Sequence, residues 1–521
     1  MKYIERNNLI IVGLVALFMV VTGISSVNLL DPDEPVYAET AREMLQYHDW
    51  LSPRIFDEFW YDKPPMYYWL VAICQSIFGV GEFAARFPAS LMGALTVVAV
   101  YIGTTPLLGE RTGFFSSLVL ATSLQFFYMG KAAVTDTTLL FFMTSALLCF
   151  MNKRYWLAYI CCGLATVTKG PIGIVFPGTI ILLYLILRGR FMELFTKIHL
   201  VRGLLLYFLV ASPWYYAMYA VHGMEFIDTF LGFHNITRFT TPEHSNRVTF
   251  WFYFPVVILG MFPWTGLLLQ SFKNAWFSSR MDELEKLSFM HVWAFFVFIF
   301  FTVCKTKLTS YILPMWPPMA ILVGWQLAYY EGKQRHNSSY FSWAVGSGII
   351  IGILGIGWFV GARFLPEATM GMYMLGGLTL LILGAIIYTL LEYKDVALAA
   401  LLHCALGAVT MVMAFVFIFP QIQDRFSVRT MAEYYKTNVN HQLPIHVDKF
   451  LRPGFKYYSD TNGIELLPRT EAFRKTLASE GHVYIMIRRM EINRDVKQNG
   501  PLPNNVTVIK EHEGIVLLKK E

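Results

Sequence analysis

The sequence predicts a polytopic α-helical membrane protein that carries a small α/β domain near its C-terminal end. Of its 521 residues, 55% are hydrophobic and only 15% are charged, and the mean hydropathy is +0.47. Soluble domains carry roughly 25% charged residues. Here apolar runs of about 20 residues, long enough to cross a bilayer, recur along the chain. Charged residues become frequent only after Gln421.

Apolar runs of about 17 to 25 residues predict about thirteen transmembrane helices. Lys and Arg in alternate short loops favour an N-terminus on the inner side of the membrane. The first run follows Lys2 and Arg6, but it is longer than a signal-peptide core and ends without a small-residue cleavage site, so we expect it to be retained. The predicted spans lie near residues 9–30, 84–108, 113–128, 134–151, 155–168, 171–187, 203–221, 250–272, 288–304, 309–330, 342–362, 371–391 and 396–419.

Two domains are predicted, a transmembrane domain over residues 1–420 and an α/β domain over residues 421–521. An odd number of spans places the loop at residues 31–83 and the C-terminal domain on the outer side. In the loop, the apolar spacing over Pro35–Tyr47 predicts a short interfacial helix. In the C-terminal domain, alternation predicts strands at Val483–Ile487, Val506–Ile509 and Ile515–Leu518, and helical spacing predicts helices near Thr430–Asn438 and Glu471–Ser479.

Several functional classes are disfavoured by the composition. The net charge of +6 comes from scattered basic residues and not from a basic face, so nucleic-acid binding is not expected. The six cysteines lie in or beside apolar runs without metal-ligand spacing, which argues against a zinc site and a disulfide framework. Neither a glycine-rich nucleotide loop nor a nucleophile elbow occurs, so a nucleotide-consuming pump is not expected.

Three acidic residues, Asp31, Asp33 and Glu34, follow the first apolar run directly. Carboxylates at this depth are costly unless they face water or a partner. A carboxylate fixed at a helix start could take a proton from an acceptor hydroxyl or orient the acceptor. The alternative is that these acids only cap the next helix. Because a cap needs one acid and the loop offers three, we predict a catalytic role for Asp33 or Asp31.

Cations in the predicted outer loops form a second group of candidates. Lys63 stands beside a rigid Pro-Pro turn and an aromatic belt that includes Tyr61, where it could meet a phosphate as a point charge. Alternatively, Lys63 pairs with Asp62 and extends to the interface. Outer loops are expected to hold few Lys and Arg residues. Their presence indicates an anionic ligand, unless they form structural ion pairs. The other outer cations are Arg54, Arg86, Lys131, Lys169, Arg238, Arg247, Lys305 and Lys307.

Histidines with nearby acids occur in the second predicted outer segment, between residues 222 and 250. Histidine and carboxylate side chains together can bind a divalent metal ion. The segment has no tightly spaced ligand motif, so the residues alone leave metal binding open. The candidates are His222, His234 and His244 with Glu225, Asp228 and Glu243.

Seven stretches follow one another as they do in the bacterial membrane glycosyltransferases of the GT-C superfamily. They are LLDPDEPVYAETAREML, YDKPPMYYWL, GEFAARFPASLMGAL, TDTTLLFF, TKGPIG, TRFTTPEHSNRVTFWFYFPV and KLTSYILPMWPPMA. Within that superfamily the chain most resembles the aminoarabinose transferases that modify lipid A, which are related to the protein O-mannosyltransferases. The resemblance covers roughly residues 10 to 330.

The resemblance implies sugar transfer from an undecaprenyl (polyprenyl) phosphate carrier to lipid A or a related acceptor. The reaction would occur with inversion at the periplasmic face of the inner membrane. The family's acid after the first span matches Asp33, with Asp31 beside it, and its acid-Lys-Pro-Pro step matches Asp62 and Lys63. The resemblance further assigns Asp136 as the mid-chain acid, Lys169 and Gly170 as the Lys-Gly step, and His244 as a partner of Asp62 in holding a divalent ion, if one is used.

Elementary electrostatics agrees with this implication. A departing polyprenyl phosphate carries concentrated negative charge, which Lys63, Lys169, Arg54 or Arg238 could stabilise. Two alternatives stay open. One is the same fold acting on a protein hydroxyl or another envelope glycan, and the other is a transporter or flippase for a lipid-linked substrate. The transporter alternative predicts symmetric halves with discontinuous helices in corresponding positions, and the sequence shows neither.

Overall fold

The computed structural model describes residues 5–230, 232, 249–278, 281–332, 337–439, 442–468 and 471–521. The chain divides into two compact units. The first comprises Met1–Ile24, Tyr61–Tyr67 and Phe87–Phe417, and the second comprises Ser25–Trp60, Tyr68–Arg86 and Ile418–Glu521. The last division lies close to the predicted boundary at residue 420. The first loop differs from the prediction, because most of it belongs to the unit that contains the C-terminal residues.

Helices make up most of the apolar part of the chain. They are α1 (Arg6–Val21), α2 (Asp33–Gln46), α3 (Met66–Phe78), α4 (Glu82–Leu108), α5 (Glu110–Ala121), α6 (Leu124–Met129), α7 (Asp136–Met151), α8 (Tyr155–Lys169), α9 (Ile172–Leu187), α10 (Glu193–Thr196), α11 (Leu200–Ile227), α12 (Tyr253–Gly260), α13 (Thr265–Trp276), α14 (Met281–Val303), α15 (Trp316–Glu331), α16 (Asn337–Gly361), α17 (Thr369–Tyr388) and α18 (Val396–Val412). Short π-helical turns follow α17 at Thr389–Tyr393 and α18 at Met413–Ile418.

Each predicted span overlaps one helix or two consecutive helices, and the prediction of a polytopic helical protein is confirmed. Among the described residues, six helices are long and apolar enough to cross a membrane, and a bent pair formed by Phe250–Gly260 and Thr265–Trp276 would make a seventh span. The two parts of this pair are inclined by 106°. Pro263 lies at the bend, where its missing N–H prevents a continuous helix.

The first helix is shorter than predicted. It ends at Val21, well before the predicted end at Leu30. Gly23 follows it with a φ of 65°, a left-handed conformation that glycine adopts at little cost and that commonly terminates helices. The apolar residues beyond this turn therefore belong to a loop and not to the span.

Helix α15 is buried along nearly its whole length and packs against α5. The crossing depends on a small residue. A Cβ atom at Gly324 would lie 2.3 Å from Ser116 Oγ and 2.4 Å from Ser116 N. Small residues let the backbones of membrane helices approach closely and gain dispersion contacts.

The second unit contains a five-stranded sheet in the order β4-β3-β5-β7-β6. Strand β3 is parallel to β4 and β5, whereas β7 is antiparallel to β5 and β6. Three strands were predicted; β3 and β4 were not, because each is only three or four residues long. The strands are β3 (Ile445–Asp448), β4 (Ile464–Leu466), β5 (Val483–Arg488), β6 (Val506–His512) and β7 (Ile515–Lys520), and the helices are α19 (Phe419–Ile422), α20 (Arg429–Asn438), α21 (Arg452–Ser459), α22 (Ala472–Ala478) and α23 (Arg489–Asn499).

Both faces of this sheet are covered. Tyr484 and Met486 of β5 belong to one apolar cluster, and Ile485 and Ile487 belong to the other. A strand that is buried on both faces reads as a continuous apolar run, as β5 does. The first cluster includes residues of α20 and α21, and the second includes residues of α22 and α23.

A short hairpin follows α2 in the second unit. Its strands, β1 (Arg54–Ile55) and β2 (Glu58–Phe59), are joined by Phe56 and Asp57, which have φ values of 60° and 65°. Both central residues are left-handed, as in a type I′ turn, and this is unfavourable for a side chain such as phenylalanine. The Glu43 carboxylate accepts hydrogen bonds from the N–H groups of Phe56 at 2.8 Å and Asp57 at 3.0 Å. These bonds hold the turn against α2.

Candidate functional site

Glu34 forms a buried ion pair in the loop after α1. Its carboxylate accepts hydrogen bonds from Arg86 Nε at 3.0 Å and Arg86 Nη2 at 2.5 Å, and both side chains are about 95% buried. Arg86 also donates to the carbonyl groups of Val27 and Asn28. The sequence pattern indicated Glu34 as a catalytic candidate and Arg86 as an outer cation. In the structure these two residues pair with each other, and Arg86 also binds the backbone of the segment that precedes α2.

Asp31 is held by the C-terminal part of the second unit. Its N–H donates to the Phe426 carbonyl at 2.9 Å, and its Oδ2 accepts from the Val428 N–H at 2.7 Å. The Oδ1 atom is shielded from solvent, although the residue as a whole is half-buried. Burial raises the pKa of Asp31 well above its usual value, and the N–H groups of Val428 and Gly454 oppose that rise.

Asp33 is the most exposed of the three acids. It is the first residue of α2, and it is exposed, whereas Asp31 is half-buried and Glu34 is buried. A carboxylate is electrostatically favoured at a helix N-terminus. Of the three acids, Asp33 is therefore the one with the greatest exposure to solvent.

Tyr61, Asp62 and Lys63 lie together in the first unit. Lys63 Nζ is 2.9 Å from Asp62 Oδ2 and also donates to the Asp62 carbonyl at 3.3 Å. The ring of the buried Tyr61 lies 5.4 Å from the ring of His222 and 5.7 Å from that of Phe226. The predicted Asp62–Lys63 pair is thus present, and the lysine head group is held by its neighbour.

Asp136 and Lys169 form a second ion pair in the same unit. Lys169 Nζ lies 3.0 Å from Asp136 Oδ1 and 5.8 Å from the centre of the Tyr311 ring, and Asp62 also acts on its charge. The fold therefore brings Asp136 and Asp62 close enough to Lys169 for both carboxylates to interact with its charge. Tyr311 was not among the predicted site residues. In the sequence, Tyr311 is marked only by its place in a polar Ser-Tyr step before a proline-rich helix start.

Lys131 and Arg54 have structural partners. Lys131 is buried and donates to the carbonyl groups of Met19 and Val20, at the C-terminal end of α1, where a cation is favoured by the helix dipole. Arg54 lies over the Phe59 ring at 3.8 Å and the Tyr47 ring at 5.0 Å, and its Nη2 is 3.6 Å from Asp49 Oδ2. Substrate binding by these two residues stays a prediction.

Two predicted site residues, Arg238 and His244, lie outside the described residues, as do Arg247, His234 and Glu243. Within the part of the chain that the structure describes, there is no group of three or more His, Cys, Asp or Glu side chains that could hold a metal ion. Asp62 supplies one carboxylate, and it is paired with Lys63. Binding of a divalent ion by Asp62 and His244 stays a prediction.

Helix α2 also buries a carboxylate that no sequence pattern indicated. Glu39 is fully buried and pairs with Arg42 at 2.8 Å. Arg42 in turn contacts Asp460 at 3.3 Å and the Tyr457 carbonyl at 3.2 Å. Burial raises the pKa of Glu39 from 4.5 to about 7, although the Arg42 charge opposes this rise.

This raised pKa predicts a pH-dependent stability. The folded protein binds the Glu39 proton more tightly than the unfolded chain does, so the contribution of Glu39 is largest below pH 4.5 and is lost as the pH rises to about 7. We expect the Glu39→Gln variant to gain thermal stability relative to the unchanged protein over this window. The measurement is Tm in detergent at about pH 5 and about pH 8. Glu58→Gln, at an exposed position, is the control, and a difference in Tm that does not grow with pH would contradict the prediction.

Comparison with known proteins agrees with these features. A family model described as dolichyl-phosphate-mannose-protein mannosyltransferase matches residues 62–216. An uncharacterized protein of Aquifex aeolicus is 33% identical over 323 residues, which cover 60% of this chain and 63% of that protein. The undecaprenyl phosphate-alpha-4-amino-4-deoxy-L-arabinose arabinosyl transferase of Yersinia enterocolitica is 31% identical over 369 residues, which cover 66% of this chain and 65% of the enzyme. The chain thus spans somewhat less than two thirds of the length of these relatives.

Solved structures show the fold. ArnT from Cupriavidus metallidurans, in a crystal structure with bound undecaprenyl phosphate, superposes with a TM-score of 0.80 at 20% identity over 98% of this chain and 97% of that chain. The oligosaccharyltransferase of Archaeoglobus fulgidus gives a TM-score of 0.55 at 13% identity over 94% of this chain and 70% of that chain. The chain is therefore a polytopic membrane protein with the fold seen in ArnT, and its sequence is similar to those of aminoarabinose transferases.

Proposed function

We propose that this protein is an inverting glycosyltransferase of the bacterial inner membrane. It moves a sugar, aminoarabinose in the first instance, from an undecaprenyl phosphate carrier to lipid A or a related envelope acceptor at the periplasmic face. The observation that carries the proposal is the 31% identity over 369 residues to an enzyme named for this chemistry. The paired cations and carboxylates of the first unit support it, because they suit a phosphate-linked substrate.

In the proposed reaction an acceptor oxygen attacks the anomeric carbon of the sugar from the side opposite the carrier. A new carbon–oxygen bond forms as the bond to the carrier phosphate breaks, and the polyprenyl phosphate departs with the bonding electron pair. If the acceptor is a hydroxyl group, Asp33 takes its proton as a general base. If the acceptor is a phosphate, no proton needs to be removed, and Asp33 orients the acceptor.

The negative charge that develops on the departing phosphate needs a partner. Lys63 is suited to this role, because Asp62 holds its ammonium group at 2.9 Å and the following Pro64 and Pro65 stiffen the backbone. A cation fixed before the reaction stabilises developing charge without reorganising. Lys169, paired with Asp136 at 3.0 Å, contributes a second positive charge in the same unit.

We expect Lys63→Gln to lower the rate of sugar transfer about 100-fold, because the loss of one preorganised donor to a developing charge commonly costs this much. The measurement is kcat and KM with purified protein and undecaprenyl-phosphate-linked aminoarabinose. Lys273→Gln, which removes an exposed lysine of α13 that is not one of the predicted outer cations, is the matched control and should leave both values unchanged. Equal rates for Lys63→Gln and the control would show that Lys63 does not serve the donor.

The acceptor is tested by mass spectrometry of lipid A and envelope glycans from cells with and without the protein, beside cells that express Asp33→Asn at the same level. A sugar-sized mass on lipid A that requires the active form supports the proposal. An unchanged lipid A with a sugar gained on a protein or another glycan keeps the chemistry but changes the acceptor.

No change in any acceptor would favour the transporter alternative. That alternative requires discontinuous helices in corresponding positions of two halves. Among the described residues the structure has one sharply bent pair of apolar helices, Phe250–Gly260 and Thr265–Trp276, and a kink at Gly223 within α11.

A further inference from the structure

The loop segment 28–31 is bound by C-terminal residues of the second unit. The Asn28 N–H donates to Gln423 Oε1 at 2.8 Å, and the Leu29 N–H donates to the Tyr458 hydroxyl at 2.9 Å. The Asp31 N–H donates to the Phe426 carbonyl at 2.9 Å. These partners lie almost 400 or more residues further along the chain. The backbone that leads into Asp33 is therefore fixed by hydrogen bonds that are long-range in sequence.

The side chain of Asp31 completes this attachment. Its Oδ2 accepts the Val428 N–H at 2.7 Å, at the start of α20, while its Oδ1 faces Gly454 in α21. A Cβ atom at position 454 would lie 2.2 Å from Asp31 Oδ1 and 2.8 Å from Val428 Cγ1. Only glycine therefore leaves space for the carboxyl group. The two helices that hold Asp31 both contribute to one face of the sheet.

We propose that Asp31 is a positioning residue, through which α20 and α21 hold the start of α2 so that Asp33 is correctly oriented for the transfer reaction. This inference rests on the proposed function. The Oδ2 atom of Asp31 accepts the Val428 N–H and the Oδ1 atom is shielded from solvent, so the carboxyl group acts on the reaction through Asp33 and not by contact with substrate. Its raised pKa fits an enclosed hydrogen-bond acceptor.

Three substitutions distinguish a positioning role of Asp31 from a role as a catalytic base. Asp31→Asn keeps an oxygen that can accept the Val428 N–H, so transfer should stay within about 10-fold of the unchanged protein, since a general base contributes more than this. Asp31→Ala and Gly454→Ala both remove the attachment. We expect each to lower kcat about 100-fold with little change in KM for the donor, because misplacement of a catalytic group by about 1 Å can have this effect.

A second readout does not depend on activity. Hydrogen–deuterium exchange of the peptide that covers residues 28–36 should become faster in Asp31→Ala and Gly454→Ala. Gly81→Ala is the matched control, because Gly81 lies in the same unit and a Cβ atom there meets no atom within 4 Å. If Gly454→Ala does not fold, Val428→Pro removes the N–H that donates to Asp31 Oδ2, and the φ of −78° at Val428 suits proline.

A failure of this inference can be told apart from a failure of the proposed function. If Asp31→Asn is as inactive as Asp33→Asn while Gly454→Ala is fully active, Asp31 is itself a catalytic group and the inference is overturned. Unchanged exchange of residues 28–36 in Asp31→Ala and Gly454→Ala would also overturn it. If Asp33→Asn keeps full activity, the proposed role of Asp33 fails, but faster exchange would still establish the attachment.

Discussion

The substitution Asp33→Asn should lower sugar transfer about 100-fold or more, since general-base catalysis typically contributes a factor of this size. Asparagine has the same shape as aspartate but is not a base and carries no charge. Asp33 is exposed at the first position of α2, so its replacement should disturb the fold little. The expected stability cost is the loss of a helix-dipole interaction, about 0.3 to 1 kcal/mol.

The measurement is the single-turnover rate of transfer by purified protein, with Tm as a check on folding. Glu58→Gln is the matched control, because it neutralises another exposed carboxylate of the same unit. Full activity of Asp33→Asn with hydroxyl and phosphate acceptors alike would falsify the role of Asp33. A loss with hydroxyl acceptors alone would identify proton removal as its task, and an equal loss with both would identify orientation.

The largest loss of stability is expected for Arg86→Leu. Arg86 and Glu34 form a buried two-point ion pair, and Arg86 also donates to the Val27 and Asn28 carbonyl groups. Removing one partner of a buried pair leaves an uncompensated charge and typically costs about 3–5 kcal/mol. We expect a lower yield of folded protein and a clearly lower Tm in detergent.

A second substitution tests the cause of this loss. Adding Glu34→Gln to Arg86→Leu removes the stranded charge, so the double variant should recover part of the lost Tm. Lys475→Leu is the control, because its ion pair with Glu471 lies on the surface, where such a pair contributes about 1 kcal/mol or less. A Tm for Arg86→Leu equal to that of the control, or a double variant less stable than Arg86→Leu, would contradict the assignment.

Much of the fold follows from local patterns in the sequence. The long apolar runs locate the helices of the membrane part, and short runs rich in β-branched and other apolar residues locate β5, β6 and β7. The strands β5 and β7 are buried on both faces, which is why these two runs are almost continuously apolar. The helix predicted over Pro35–Tyr47 is present as α2, which begins at Asp33. The short strands β3 and β4 and the bend at Pro263 were not predicted, since strands of this length carry little periodic signal and helix geometry across a proline depends on its surroundings.

The Asp62–Lys63 pair could also be predicted from the sequence, because the two residues are adjacent. The pairing of Asp136 with Lys169 does not follow from residue spacing, since the two residues are 33 positions apart and meet only when α7 and α8 pack together. Tyr311, near Lys169, lies still further along the chain. Such contacts depend on which helices become neighbours, and local residue patterns do not specify that.

The sequence by itself determined that this is a helical membrane protein, that acids and cations gather beside its spans, and that it resembles lipid-linked sugar transferases. Only the tertiary structure distinguished Asp31, Asp33 and Glu34, which stand within four residues of one another. Glu34 is paired with Arg86, 52 positions away, and Asp31 accepts a hydrogen bond from Val428, 397 positions away. The state of a carboxylate is set by the charges, hydrogen-bond donors and solvent around it. For these three acids, those surroundings come from residues that are distant in sequence.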